Sequence, residues 1–122
     1  MTSPGKPVGP ICASDLEGRP YLYASFSNIS LLTGLEYCTG LWWLVLSANQ
    51  ISDLSPLAGM TGLYYLDLST NQISDIAPLV ANVGLGSEDS VFLESNPLSD
   101  ESCNAHIPEL EGRGVGVLHD CP

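Results

Sequence analysis

An α/β solenoid of short parallel strands is the fold class this sequence predicts, and three observations predict it. Residues 41–62, LWWLVLSANQISDLSPLAGMTG, recur as residues 63–84, LYYLDLSTNQISDIAPLVANVG, at a period of 22 residues. Self-similarity at such a period marks stacked units, none of which can bury its apolar face alone. Leu44 and Leu46, then Leu66 and Leu68, alternate as the buried side of a short strand. Asn49 and Asn71 follow where the chain must turn inward. An amide there can bond the backbone of neighbouring coils and satisfy groups that a buried turn would strand. Ile51, Leu54, Leu57 and Met60 carry the apolar layer around the far side.

The repeated pattern L-x-x-L-x-L-x-x-N-x-I, with the segments ISDLSPLAGMTGL and ISDIAPL, resembles the leucine-rich repeat family. Within it the match is to the 22-residue class found in bacterial surface and secreted proteins of the internalin type. The resemblance covers nearly the whole chain. It implies a short right-handed horseshoe with about four parallel strands on the concave face, 3-10 or irregular turns on the convex face, and a C-terminal cap. It also implies a bacterial source, a secreted or cell-surface location, and a role in protein–protein interaction without a reaction of its own.

Length and charge bound the alternatives. With 122 residues the chain is one domain of few coils, divided here as 1–18 partial N-terminal cap, 19–98 repeats and 99–122 C-terminal cap. The longest unbroken apolar run, residues 41–46, falls far short of the roughly 20 residues of a membrane-spanning helix. Residues 1–6, MTSPGK, have no apolar stretch after the single basic residue, so they do not read as a secretory leader. A net charge of −11 argues against nucleic acid and anionic membrane as partners and favours a neutral or basic protein.

Along the chain, residues 1–10 hold three prolines and two glycines and cannot form a helix. Members of the resembled family begin with an amphipathic helix over the first coil. Its absence predicts either a piece of a longer protein or a first coil whose apolar edge, near Ile11, Leu16 and Leu22, is exposed and prone to self-association. The first repeat is degenerate: Ser27 stands for the ladder Asn and Arg19 for a core Leu, while Leu32, Leu35 and Cys38 continue the buried layer. Cys38 aligns with Met60, and a thiol there reads as inert packing. Asp53 and Asp75 read as N-caps of single helical turns, with Pro56 and Pro78 at early helical positions where no backbone donor is missed. Those turns are too short for long α-helices.

The period then breaks. Asn96 lies 25 residues past Asn71, which places an insertion of three near residues 84–87, whose glycines suit a bulged loop. Val91 and Leu93 form the next strand, and Pro97 suits an end coil. Residues 102–112 are expected as a short helix, started or broken at Pro108 and stopped by Gly112 and Gly114. Val115 and Val117 form a closing strand.

Candidate sites follow. Cys103-x-x-His106 and His119-x-Cys121 supply two soft ligand pairs, but their spacing is not that of a common zinc module. Packing or a Cys103–Cys121 disulfide is the preferred alternative, the even cysteine count supporting a disulfide in a secreted chain. No metal or other cofactor is expected. No catalytic residues are assigned: the serines fall at equivalent repeat positions, and neither histidine adjoins a nucleophile turn. Asn28-Ile29-Ser30 is a formal glycosylation sequon without meaning in a bacterial source.

Positions between the buried leucines point onto the concave sheet. Equivalent columns align Pro20, Trp42, Tyr64 and Asp89; Tyr21, Trp43, Tyr65 and Ser90; Tyr23, Val45, Asp67 and Phe92; Ser25, Ser47, Ser69 and Glu94; and Phe26, Ala48, Thr70 and Ser95. Parallel strands lie about 4.8 Å apart, so Tyr21, Trp43 and Tyr65 should stack as a ladder. The ligand-binding candidates are Tyr21, Tyr23, Trp42, Trp43, Tyr64, Tyr65, Asp67, Phe92 and Glu94; the structural ones are Asn49, Asn71 and Asn96. Stacked rings can simply shield a sheet. Exposed Trp and Tyr patches are, however, enriched at interaction hot spots, and two tryptophans left exposed invite aggregation unless used. Protein binding at this face is the preferred reading. The alternatives are carbohydrate recognition by the ladder and a structural fragment of a larger surface protein.

Overall fold

In the computed structural model, which describes residues 13–14, 20–35, 38 and 40–121 (backbone alone at 13, 14 and 20), the repeated leucines build a six-stranded sheet. Its strands run in sequence order: β1 Ala13–Ser14, β2 Pro20–Tyr23, β3 Trp43–Val45, β4 Tyr65–Asp67, β5 Ser90–Phe92 and β6 Gly116–Leu118. β1 pairs antiparallel with β2, and every later pair is parallel. The closing strand expected in the cap joins the repeat strands, so the sheet has one parallel strand more than the repeats supply. The expected columns are the observed registers, with Leu22, Leu44, Leu66, Val91 and Val117 aligned in one row.

That row and the layers behind it form one continuous core. Leu44, Leu46, Leu66, Leu68, Ile51, Ile73, Leu57 and Leu79 have no measurable exposure. Each such side chain contributes about 1.5–3 kcal/mol by leaving water. Leu32, Leu35 and Cys38 extend the same layer into the degenerate first repeat. Cys38 is one half of a disulfide, not the packing thiol expected from its position. Its partner, like Arg19, Ile11 and Leu16, lies outside the described residues. Leu22, the described member of the predicted exposed edge, is buried.

Each coil leaves its strand through a left-handed residue: Phe26, Ala48, Thr70 and Ser95 have φ of 55°, 59°, 57° and 59°. None is glycine, so each position costs roughly 1 kcal/mol. Hydrogen bonds to the following coil offset it. Asn49 Oδ1 accepts from Ser27 N and Ile29 N at 2.9 and 3.0 Å, while its Nδ2 donates to the carbonyls of Ala24, Leu46 and Ser47. Asn71 accepts from Ile51 N and donates to Leu46, Leu68 and Ser69. Asn96 accepts from Asn71 N and Ile73 N. The ladder ends on Asp120, whose Oδ2 accepts from Ser95 N at 2.7 Å.

On the convex side the second repeat makes a 3-10 turn, Ser55–Leu57, and the third a five-residue helix, α1 Ala77–Ala81. The residues in the N-cap position are Leu54 and Ile76, not the aspartates. Asp53 and Asp75 stand one residue earlier and close Asx turns onto Ser55 N and Ala77 N, both at 2.9 Å. They still satisfy an orphan donor of the first turn, from a position where the backbone is free to be non-helical. The inserted bend brings Gly84 so close to the preceding coil that a β-carbon there would lie 2.1 Å from the Thr61 carbonyl oxygen.

The cap helix opens as a π turn, Ser102–His106, and continues as α2 Ile107–Gly112, with Pro108 in its first turn. A Cys103–Cys121 disulfide ties it to the segment after β6. Among the described residues no helix is long and apolar enough to cross a membrane.

Candidate interaction surface on the concave face

The face that the outward columns define is built on backbone that the leucine core and the asparagine ladder hold rigid. Trp43 and Tyr65, Cα partners across β3 and β4, stack face to face with centroids 4.0 Å apart and planes 4° from parallel. Trp42 and Tyr64 stack beside them at 5.8 Å and 22°. Trp42 also meets Trp43 at 5.4 Å, and Tyr65 meets Phe92 at 5.1 Å, so five rings from three adjacent coils form one contiguous surface. Aromatic pairs of this kind add about 0.5–1.5 kcal/mol beyond area burial.

The expected third rung of the ladder is not there. Tyr21 is the Cα partner of Trp43, but its ring turns along its own strand and packs edge-on to Tyr23 at 5.4 Å. Tyr23 is 61% exposed, Tyr64 44%, and Trp42, Trp43, Tyr65 and Phe92 are half-buried. Stacking thus shields part of the surface and leaves its outer rings in water. The Trp43 indole Nε1 is buried and finds no hydrogen-bond partner among the described residues.

Asp67 stands beside Tyr65 with Oδ1 accepting from Ser69 N at 3.0 Å and Ser69 Oγ at 2.7 Å. Burial, then the nearby Asp67 charge and Tyr23, push the Tyr65 phenol above the usual tyrosine range. Glu94 is half-buried at the end of its column. Asn49, Asn71 and Asn96 lie behind the sheet, as the pattern requires of structural residues.

Three contributors escaped sequence reasoning. Phe26, in the outermost column, is 84% exposed and adds an aromatic ring at the first coil. Its column was legible; only its protrusion was not. Asn82 occupies the core column of Met60, fully buried, and donates to the carbonyls of Leu57 and Met60 at 2.9 and 3.0 Å. Arg113 donates to the carbonyls of Val80 and Asn82, capping the end of α1 and docking the cap onto the third coil. The alignment of Asn82 with Met60 was a usable signal for the first; nothing local marks the second. Among the described residues no cluster of His, Cys, Asp or Glu could hold a metal, and the Cys103 and Cys121 sulfurs are bonded to each other.

A family model of leucine-rich repeats in two copies matches residues 43–81. The chain is similar in structure to internalin C2 from Listeria monocytogenes str. 4b F2365, with 32% identity and a TM-score of 0.66 over 81% of this chain and 41% of that one. It is similar also to an internalin (inlF) of the same organism, with 32% identity and a TM-score of 0.61 over 73% of this chain and 25% of that one. The chain therefore spans less than half the length of either structure. No curated protein sequence matches it.

Proposed function

Since the chain is a leucine-rich repeat protein of the 22-residue, internalin-like class, we propose that it is a non-enzymatic binding module that captures a protein partner on its concave face. One observation carries the reading: five aromatic rings form a continuous surface at positions whose inward neighbours already fill the core. Rigid, preorganised Trp and Tyr side chains supply contact area at little entropic cost on binding. The binding residues in this reading are Tyr21, Tyr23, Trp42, Trp43, Tyr64, Tyr65, Asp67, Phe92 and Glu94, to which Phe26 is added. Carbohydrate recognition needs open ring faces, and Trp43 and Tyr65 turn theirs to each other. A protein partner can use ring edges and the flanking carboxylates as well.

The reading includes a secreted or cell-surface location, a neutral or basic partner, no cofactor, and the division 1–18, 19–98 and 99–122. Self-association through the N-terminal end belongs to it too, since among the described residues β1 covers the β2 edge with two residues. Sedimentation of the isolated chain tests that part, a strict monomer removing it.

The test of the main reading is the double variant Trp43→Ala/Tyr65→Ala, panned beside the wild type against displayed libraries of peptides and small domains. Capture by the wild type should be lost in the variant while the far-UV spectrum stays nearly unchanged, each truncated hot-spot ring weakening binding by about 2 kcal/mol or more. Equal capture with a lowered melting temperature would mean that the rings only shield the sheet.

A further inference from the structure

Among the described residues the concave face is of one charge sign. Asp67, Asp89 and Glu94 stand in its columns, and Asp120 reaches its edge from the last coil to accept from Ser95 N. The one lysine or arginine among the described residues is Arg113, which is engaged with the carbonyls of Val80 and Asn82 and with Glu109 at 3.6 Å. The protein therefore offers this face no cation of its own from the described part of the chain.

Asp67 is the best placed of these carboxylates. Two bonds from Ser69 fix its orientation through Oδ1, and its Oδ2 has no hydrogen-bond partner among the described residues. Tyr65 precedes it by two positions on the same face of the strand, and Phe92 is its Cα partner on β5. The two rings meet at 5.1 Å and 44°, so an oriented, unfilled carboxylate oxygen borders an aromatic wall. A guanidinium answers both features: it donates to a carboxylate in plane and lays its weakly hydrated face on a ring. An ammonium answers the charge but not the plane.

We propose that the concave face docks a basic segment of a protein partner, and that Asp67, with Tyr65 and Phe92 beside it, receives an arginine side chain of that segment. This rests on the protein-binding reading above and narrows it to one residue type at one position.

The experiment pans a displayed library of random short peptides on the wild-type chain, then measures the enriched peptides on three proteins. These are the wild type, Asp67→Asn (isosteric, keeping the acceptor for Ser69) and Trp43→Ala/Tyr65→Ala, each first shown to melt cooperatively. The expected result is enrichment of arginine, binding weakened about tenfold or more in Asp67→Asn, a matching loss when that arginine is made citrulline, and weakening by added salt. Enriched peptides without a basic residue, equal binding to Asp67→Asn, or no enrichment at all would each overturn the proposal. Peptides that ignore Asp67→Asn but lose Trp43→Ala/Tyr65→Ala sink the arginine subsite alone. Peptides indifferent to both variants sink the concave-face reading with it.

Discussion

Asn71→Ala is the perturbation that most directly tests the ladder. The residue is 4% exposed, and its side chain makes four hydrogen bonds: one accepted from Ile51 N and three donated to the carbonyls of Leu46, Leu68 and Ser69. Their loss is unequal in effect. Leu46 O also accepts from Asn49 Nδ2, Leu68 O from Asn96 Nδ2, and Ser69 O from Ala48 N, so all three carbonyls keep a partner. Ile51 N loses its acceptor in a buried coil, which costs about 1–3 kcal/mol, while the three lost donations cost less because their acceptors remain satisfied. The sum is on the order of 2–3 kcal/mol, or about 8–15 °C in melting temperature for a domain of this size. Asn49→Ala orphans Ser27 N and Ile29 N in the part-buried first coil, where water can replace the lost amide, so its cost should be smaller. Asn71→Asp should be worse than alanine at neutral pH, because three carbonyls would then face a carboxylate. Thermal melts of the three variants at one pH decide the matter. A harmless Asn71→Ala, or one milder than Asn49→Ala, would refute the register and the accounting together.

The Asp53 carboxyl, held below the usual carboxylate range by hydrogen bonds from Ser55, contributes stability that is full above the ordinary carboxylate value and is lost as pH falls through its lower folded value. An NMR titration should show its midpoint rising in Ser55→Ala, and an unmoved midpoint would assign the shift elsewhere. Reduction of Cys103–Cys121, which closes a separation of 18 residues, should cost about 3 kcal/mol. Hydrogen exchange should then quicken first in α2 and β6, and uniform exchange would deny the cap its separate stability. Gly84→Ala forces a β-carbon onto the Thr61 carbonyl and should cost roughly 1–3 kcal/mol, whereas Gly59→Ala, with nothing within 4 Å, should be near neutral in the same melts.

Most of the fold was legible because a solenoid turns sequence period into spatial neighbourhood. Once Leu44 maps onto Leu66 at 22 residues, the two must stand side by side in adjacent strands, and they do. The inward leucines, the asparagine ladder and the membership of each concave column all follow from that one relation. It also placed Trp43 on Tyr65 before any geometry was known. What the period cannot carry is conformation within a column or contact where the repeat is broken. Tyr21 lies in register with Trp43, yet its ring has a choice of neighbours and packs on Tyr23, a matter of rotamers rather than register. The left-handed turns at Phe26, Ala48, Thr70 and Ser95 carry no glycine to announce them, because hydrogen bonds to the following coil, not local preference, hold them there. Arg113 reaches from the cap to the third coil, where no equivalent position exists to be compared, and Asn82, though aligned with Met60, makes bonds to Leu57 and Met60 that its column alone does not specify. The repeating sequence by itself thus determined which residues share a face, since stacking identical units leaves that no freedom. Tertiary structure decided how the ends are closed and which rings meet, since those contacts join segments that the period does not relate.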